Sequence, residues 1–80
     1  MKVRALYFAG LRARLGVAEQ MLDLPEGSSA SDAALAACGA LGNEWMTALR
    51  VAVNEELTSL STVLKDGDEL ALLPPVSGGR

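Results

Sequence analysis

The sequence predicts an α+β domain, with one main helix packed on one face of a mixed β-sheet. Three observations carry that expectation. Strand-like stretches, KVRALY near the start and ELALL near the end, flank one convincing helical stretch, SASDAALAACGALG. The elements read in the order strand, strand, helix, strand, strand, with no internal repeat or linker. Half of the 80 residues are hydrophobic, which suffices for one small domain with a modest core.

KVRALYFAG is rich in strand formers and is bounded by Gly10. Its alternation sends Val3, Ala5 and Tyr7 to one face and Arg4, Leu6 and Phe8 to the other. LRARLG is a short helical turn, with Leu11 and Leu15 four residues apart and Gly16 as its closure. EQMLDLP alternates again, Met21 and Asp23 against Leu22 and Leu24, and Pro25 and Gly27 end it. In the main helix Ser29 is the N-cap and Asp32 completes a weak capping box. Ala34, Leu35, Cys38 and Leu41 form its apolar stripe, whose small residues let the helix lie close to a sheet. Gly39 weakens the helix near its end and Gly42 stops it. NEWMTAL reads as a helical turn that brings Trp45 or Met46 over the core. RVAVNEEL is a strand with a turn at Asn54, a residue that tolerates the left-handed region. Asp66-Gly67 is a turn, after which Leu70, Leu72 and Leu73 open the last strand. The helix crosses between strands in the right-handed sense. The last strand, near Glu69 to Leu73, is expected centrally beside the first. In this size range the β-grasp is the natural candidate.

Composition excludes several functions. The net charge is −3 and there is no histidine. The arginines and lysines are scattered, with little aromatic interleaving, which argues against a nucleic-acid partner. A mildly acidic surface suits a basic protein partner. The longest apolar runs fall far short of a membrane span, and no export signal opens the chain. Cys38 is the only cysteine, so neither a disulfide framework nor a cysteine metal site is expected, and a reducing cytoplasm fits. As a nucleophile Cys38 is outweighed by its bland reading, a buried thiol acting as a small hydrophobe on an apolar helix face. Asp66, Asp68 and Glu69 lack calcium-loop spacing and read as a solvated hairpin turn. With no phosphate loop and no Ser/His/Asp set, catalysis by the chain alone is not expected.

The chemistry therefore concentrates in LLPPVSGGR. Pro74 and Pro75 cannot donate to a sheet, so the strand stops and the chain continues extended. From Pro74 to Gly79 it can reach ~20 Å. Gly78 and Gly79 lack Cβ atoms, so their backbone can thread a channel closed to other residues. Such a terminus has a shape for insertion into another protein. A frayed end that happens to contain glycine has the same composition, and the residues alone leave both readings open.

YFAGLRARLG, VAVNEEL and LKDGDELALLPPVSGG, in that order, resemble the small subunits of molybdopterin synthase, sulfur carriers of the ubiquitin-like β-grasp type. The resemblance spans nearly the whole chain, and its terminal part is the most specific. It implies a β-grasp domain over residues 1–75 and a flexible tail over 76–80. It implies that an E1-like activating enzyme uses ATP to adenylate the Gly79 carboxylate, beside Gly78, and that sulfur then replaces the adenylate to give a thiocarboxylate. The tail would enter the large catalytic subunit and pass sulfur to cyclic pyranopterin monophosphate, building the dithiolene that later holds molybdenum or tungsten. The chain would bind no cofactor itself; ATP belongs to the activating enzyme. The resemblance further implies a heterotetramer, a dimer of heterodimers, in the cytoplasm. Its partner-binding positions map to Phe8, Arg12, Leu57, Leu73, Pro74, Pro75 and Val76. Each of the first four also has a bland reading: core for Phe8 and Leu73, a hairpin plug for Leu57, a solvated helix residue for Arg12. Arg80 departs from the family, whose carriers end at the second glycine. A residue removed by a peptidase, an addition at the terminus and an inactive copy all remain open for it. Two further functions stay open: a related carrier serving thiamine, transfer RNA or protein modification, and a ubiquitin-like interaction module with no covalent chemistry.

Overall fold

The structure, a computed structural model, describes residues 1–39 and 48–74. Within them the chain runs β1 (Lys2–Tyr7), α1 (Ala9–Leu15), β2 (Glu19–Asp23), α2 (Ala30–Cys38), β3 (Arg50–Val53), β4 (Glu56–Thr58) and β5 (Glu69–Leu73). The strands form one mixed sheet in the order β2-β1-β5-β3-β4. β1 and β5 are parallel neighbours, and the other pairings are antiparallel. This is the expected α+β β-grasp, with the last strand beside the first.

β4 was not expected as a separate strand. Asn54 and Glu55 both adopt positive φ, 51° and 71°. Two consecutive left-handed residues make the tight turn whose twist suits a hairpin. Val53 therefore pairs with Glu56, and NEEL folds back against β3 instead of leaving the sheet. The Asp66-Gly67 turn, conversely, is not a hairpin. The Asp68 N–H donates to the Lys65 carbonyl at 3.0 Å, and the Gly67 N–H donates to the Lys2 carbonyl at 2.8 Å, which docks the turn on the start of β1.

One sheet face carries the core. Val3, Ala5 and Tyr7 of β1, Val51 of β3, and Leu70 and Leu72 of β5 are buried against Leu11 of α1 and the small side chains of α2. Ser29 caps α2 through a reciprocal box: its Oγ accepts from the Asp32 N–H, and the Asp32 carboxylate accepts from the Ser29 N–H. The buried residues of α2 are Ala30, Ala33, Ala34 and Cys38. Leu35, expected in that stripe, is half exposed. Each residue turns the helix by about 100°, so Leu35 stands one step past Ala34 and off the buried arc. α1 ends as expected, with Gly16 at φ 79° and its N–H donating to the Arg12 carbonyl. Leu41, Gly42, Trp45 and Met46, and the tail from Pro75 onward, lie outside the described residues.

Candidate functional site

The face opposite the core is not covered by α1 or α2, and strand register shows what lies on it. Arg4 of β1 pairs with Met21 of β2 and Glu69 of β5. One step along, Leu6 of β1 pairs with Ala71 of β5, Ala71 with Ala52 of β3, and Ala52 with Leu57 of β4. One step further, Leu73 of β5 pairs with Arg50 of β3. Phe8 keeps the extended backbone of β1, φ −126° and ψ 159°, and so continues the alternation onto this same face.

The middle row is apolar from β1 to β4, and at the β2 edge Leu6 pairs with the exposed Glu19. Leu6 and Ala71 are partly exposed and Ala52 is nearly covered, while Leu57 at the sheet edge stands 63% in water. The alanines make a shallow trough between two large side chains. Phe8, 45% exposed, is not core. Leu73 and Pro74 are half-buried at the point where the chain leaves the central strand β5. Arg12 is exposed on α1, one helical turn beyond Phe8, whose carbonyl accepts its N–H. Phe8, Leu57, Leu73 and Pro74 thus share or border one face, with Arg12 beside it. Pro75, Val76, Gly78 and Gly79 lie outside the described residues.

Ion pairs occupy the other end of this face. Arg4 pairs with Glu69 at 3.0 Å and Glu19 at 3.6 Å, and Lys2 pairs with Asp23 at 3.3 Å. A depression of about 470 Å³ there is lined by Lys2, Arg4, Met21 and Asn54, among others. Its polar groups serve the fold. Asn54 Oδ1 accepts from the Glu69 N–H and its Nδ2 donates to Asp68, which fixes the β3–β4 turn to the start of β5. Asp66 accepts from the Lys2 N–H at 2.7 Å and Asp68 from the Lys65 N–H at 2.8 Å. The acids read as a solvated turn therefore cap backbone donors.

Cys38 is buried, and its thiol donates to the Ala34 carbonyl at 3.0 Å. Burial raises its pKa, which disfavours the reactive thiolate. The Tyr7 phenol is also raised, first by burial and then by the nearby Cys38, and it donates to Gln20 Oε1 at 2.8 Å. Neither group is a nucleophile for the open face. The residues that sequence reading missed are Ala52, Ala71 and Arg50. Alternation in RVAV and ELALL carried the signal for them, but only once the pairing partner of each strand was known.

The arrangement offers an apolar trough that leads to the root of a terminal segment and contains no acid–base machinery. The ThiS family model matches residues 5–79. The molybdopterin synthase sulfur carrier subunit of Chlamydomonas reinhardtii is 39% identical over 84 residues, covering 99% of this chain and 100% of that one. SAMP1 from Haloferax volcanii superposes with a TM-score of 0.81 at 29% identity, over 99% of this chain and 100% of that chain. A chain in the complex of subunits 1 and 2 of the molybdopterin-converting factor from Helicobacter pylori gives a TM-score of 0.61 at 29% identity, over 99% and 100%. With a family model that matches residues 5–79 and a relative aligned over 99% of its length, on a fold and tail root that fit both, this chain belongs to the ThiS family.

Proposed function

We propose that this chain is the sulfur carrier subunit of a molybdopterin synthase. The observation that carries the proposal is the tail root: the segment before PPVSGG is the central strand β5, and it delivers that segment from the end of an exposed apolar trough. A covalent carrier needs a rigid domain to dock and a thin extension to reach. Here the docking residues lie on one sheet face, and the extension starts from the end of the central strand of that sheet. The full-length match to relatives named as this subunit supports the reading.

In the proposed cycle an activating enzyme joins the Gly79 carboxylate to AMP from ATP and releases pyrophosphate. The carboxylate is a poor electrophile, and the adenylate provides a leaving group. Sulfide delivered by a donor displaces AMP and leaves a thiocarboxylate, a sulfur nucleophile that needs no side chain. The tail then enters the large subunit, which supplies the base and cationic groups for transfer to cyclic pyranopterin monophosphate. Two carriers and two large subunits form the working heterotetramer in the cytoplasm, where Cys38 stays reduced. Phe8, Leu57, Leu73 and Pro74 dock the domain, with Arg12 at their border, and Pro75 and Val76 aim Gly78 and Gly79.

The likeness to SAMP1, a small archaeal modifier protein, favours one second reading, conjugation to lysines. Terminal mass separates the two. After coexpression of the chain ending at Gly79 with an activating enzyme, replacement of one terminal oxygen by sulfur supports the carrier. A lysine adduct in its place supports the modifier, and an unchanged terminus rejects both.

A further inference from the structure

We infer that Arg50 is a specificity-determining cation of the docking face, placed to pair with a carboxylate of the large subunit beside the entrance for the tail. The inference rests on the sulfur-carrier reading and deepens it.

Arg50 is exposed on the open face, because Val51 beside it points into the core. Its cross-strand partner is Leu73, the last residue of β5 before Pro74. Directly opposed residues hold their Cβ atoms about 5 Å apart, so the Arg50 side chain starts beside the tail root, which its guanidinium can reach. On its other side β4 ends at Thr58, opposite Val51, so no residue of β4 faces it. The other cations of this face, Lys2 and Arg4, are each neutralised by carboxylates within 3.6 Å. Among the described residues Arg50 has no such ion pair. Its neighbours on the face are the apolar Leu73 and Ala52.

The chain is acidic overall, yet among the described residues of this sheet face the one cation without an ion pair, Arg50, lies where the tail departs. An unpaired guanidinium bordering an apolar surface loses hydration when a partner covers that surface, and this costs free energy unless the partner supplies an anion. Its planar fork accepts a carboxylate in bidentate fashion. A carboxylate on the large subunit would thus fix the register of docking. A partner with a cation in that place would be rejected.

The test is calorimetric titration of the large subunit from the same organism with the full chain, Arg50→Ala, Arg50→Glu and Leu57→Glu, at low and high salt. Thermal melts check that each variant is folded. Arg50→Ala should weaken binding several-fold at low salt and Arg50→Glu by about tenfold or more, with both losses shrinking at about 0.5 M salt. If Leu57→Glu impairs binding while the Arg50 variants bind as tightly as the parent chain, or more tightly, the inference is overturned and the docking face stands. A loss at Arg50 that does not respond to salt also overturns it, since it would report shape rather than charge. If no variant affects binding, the docking face itself is wrong and the role of Arg50 falls with it.

Discussion

Phe8 and Leu57 leave 45% and 63% of their surface in water, although Leu11 and Leu70 nearby in the chain are fully buried. Their apolar surface does not contribute to the core, so replacing it should cost little stability. Burying one such side chain in an interface is worth ~1.5–3 kcal/mol. Leu57→Glu or Phe8→Asp should therefore weaken binding of the large subunit at least tenfold with an unchanged melting curve. Normal calorimetric affinity for both variants would move the interface elsewhere. Cys38 and Tyr7 pose the opposite case. Both stay protonated more tightly in the fold than in the open chain, because burial penalises their anions. The unfolded chain releases these protons first, from about the ordinary values of 9.0 and 10.0, while the folded chain still holds them. Stability contributed by the two groups is thus complete below pH 9 and falls as pH rises through that range. Urea melts at stepped alkaline pH should show that decline, and Cys38→Ala with Tyr7→Phe should reduce it. A native Cys38 that reacts with thiol reagents as fast as the unfolded chain would contradict its burial.

Two local devices define the elements. The reciprocal Ser29–Asp32 box satisfies two backbone donors at the start of α2. Ser29→Ala should cost ~0.5–2 kcal/mol of stability, measured by urea unfolding. In the β3–β4 turn, Glu55 holds φ at 71°, which a residue with a Cβ adopts at a cost. Glycine is the favoured residue at the second position of such a turn, after asparagine. Glu55→Gly should therefore stabilise the domain by ~0.5–1 kcal/mol, since relief of strain exceeds the added chain entropy. Asn54→Ala should destabilise it, because Asn54 also holds the turn to Glu69 and Asp68. A stability order other than Glu55→Gly above the parent and Asn54→Ala below it would refute this account of the hairpin.

At the scale of the molecule, β5 links two functions. It is a central strand that pairs with both β1 and β3, and it ends where the tail begins. Changes beyond it should affect chemistry but not folding. In a chain ending at Gly79, Gly79→Val should block AMP and sulfur transfer and leave the melting temperature unchanged. With Arg80 in place, the carboxylate belongs to a bulky, permanently charged residue, so adenylation should fail. Carrier-dependent ATP–pyrophosphate exchange, with terminal mass spectrometry, reads both variants. Equal adenylation of the intact Arg80 form and the form ending at Gly79 would refute the requirement for a bare glycine tip.

The amino-acid sequence by itself determined the features that depend on near neighbours. The alternation of β1, the capping of α2, the closure of α1 at Gly16, the turn at Asn54 and the stop at Pro74 all arise from contacts or steric limits within a few residues. The family resemblance, carried by YFAGLRARLG, VAVNEEL and the tail, was legible for the same reason: those segments are contiguous. Tertiary structure alone decided which faces meet. Leu35 has the hydrophobicity of a core residue, but the arc of α2 that fits the sheet leaves it half in water. Strand-like NEEL becomes β4 only because β3 offers it an edge. The trough through Leu6, Ala71, Ala52 and Leu57 joins residues from four strands, and Arg50 reaches the tail root through a pairing 23 positions along the chain. Register is a long-range property: a slip of one residue would turn every one of these side chains to the opposite face.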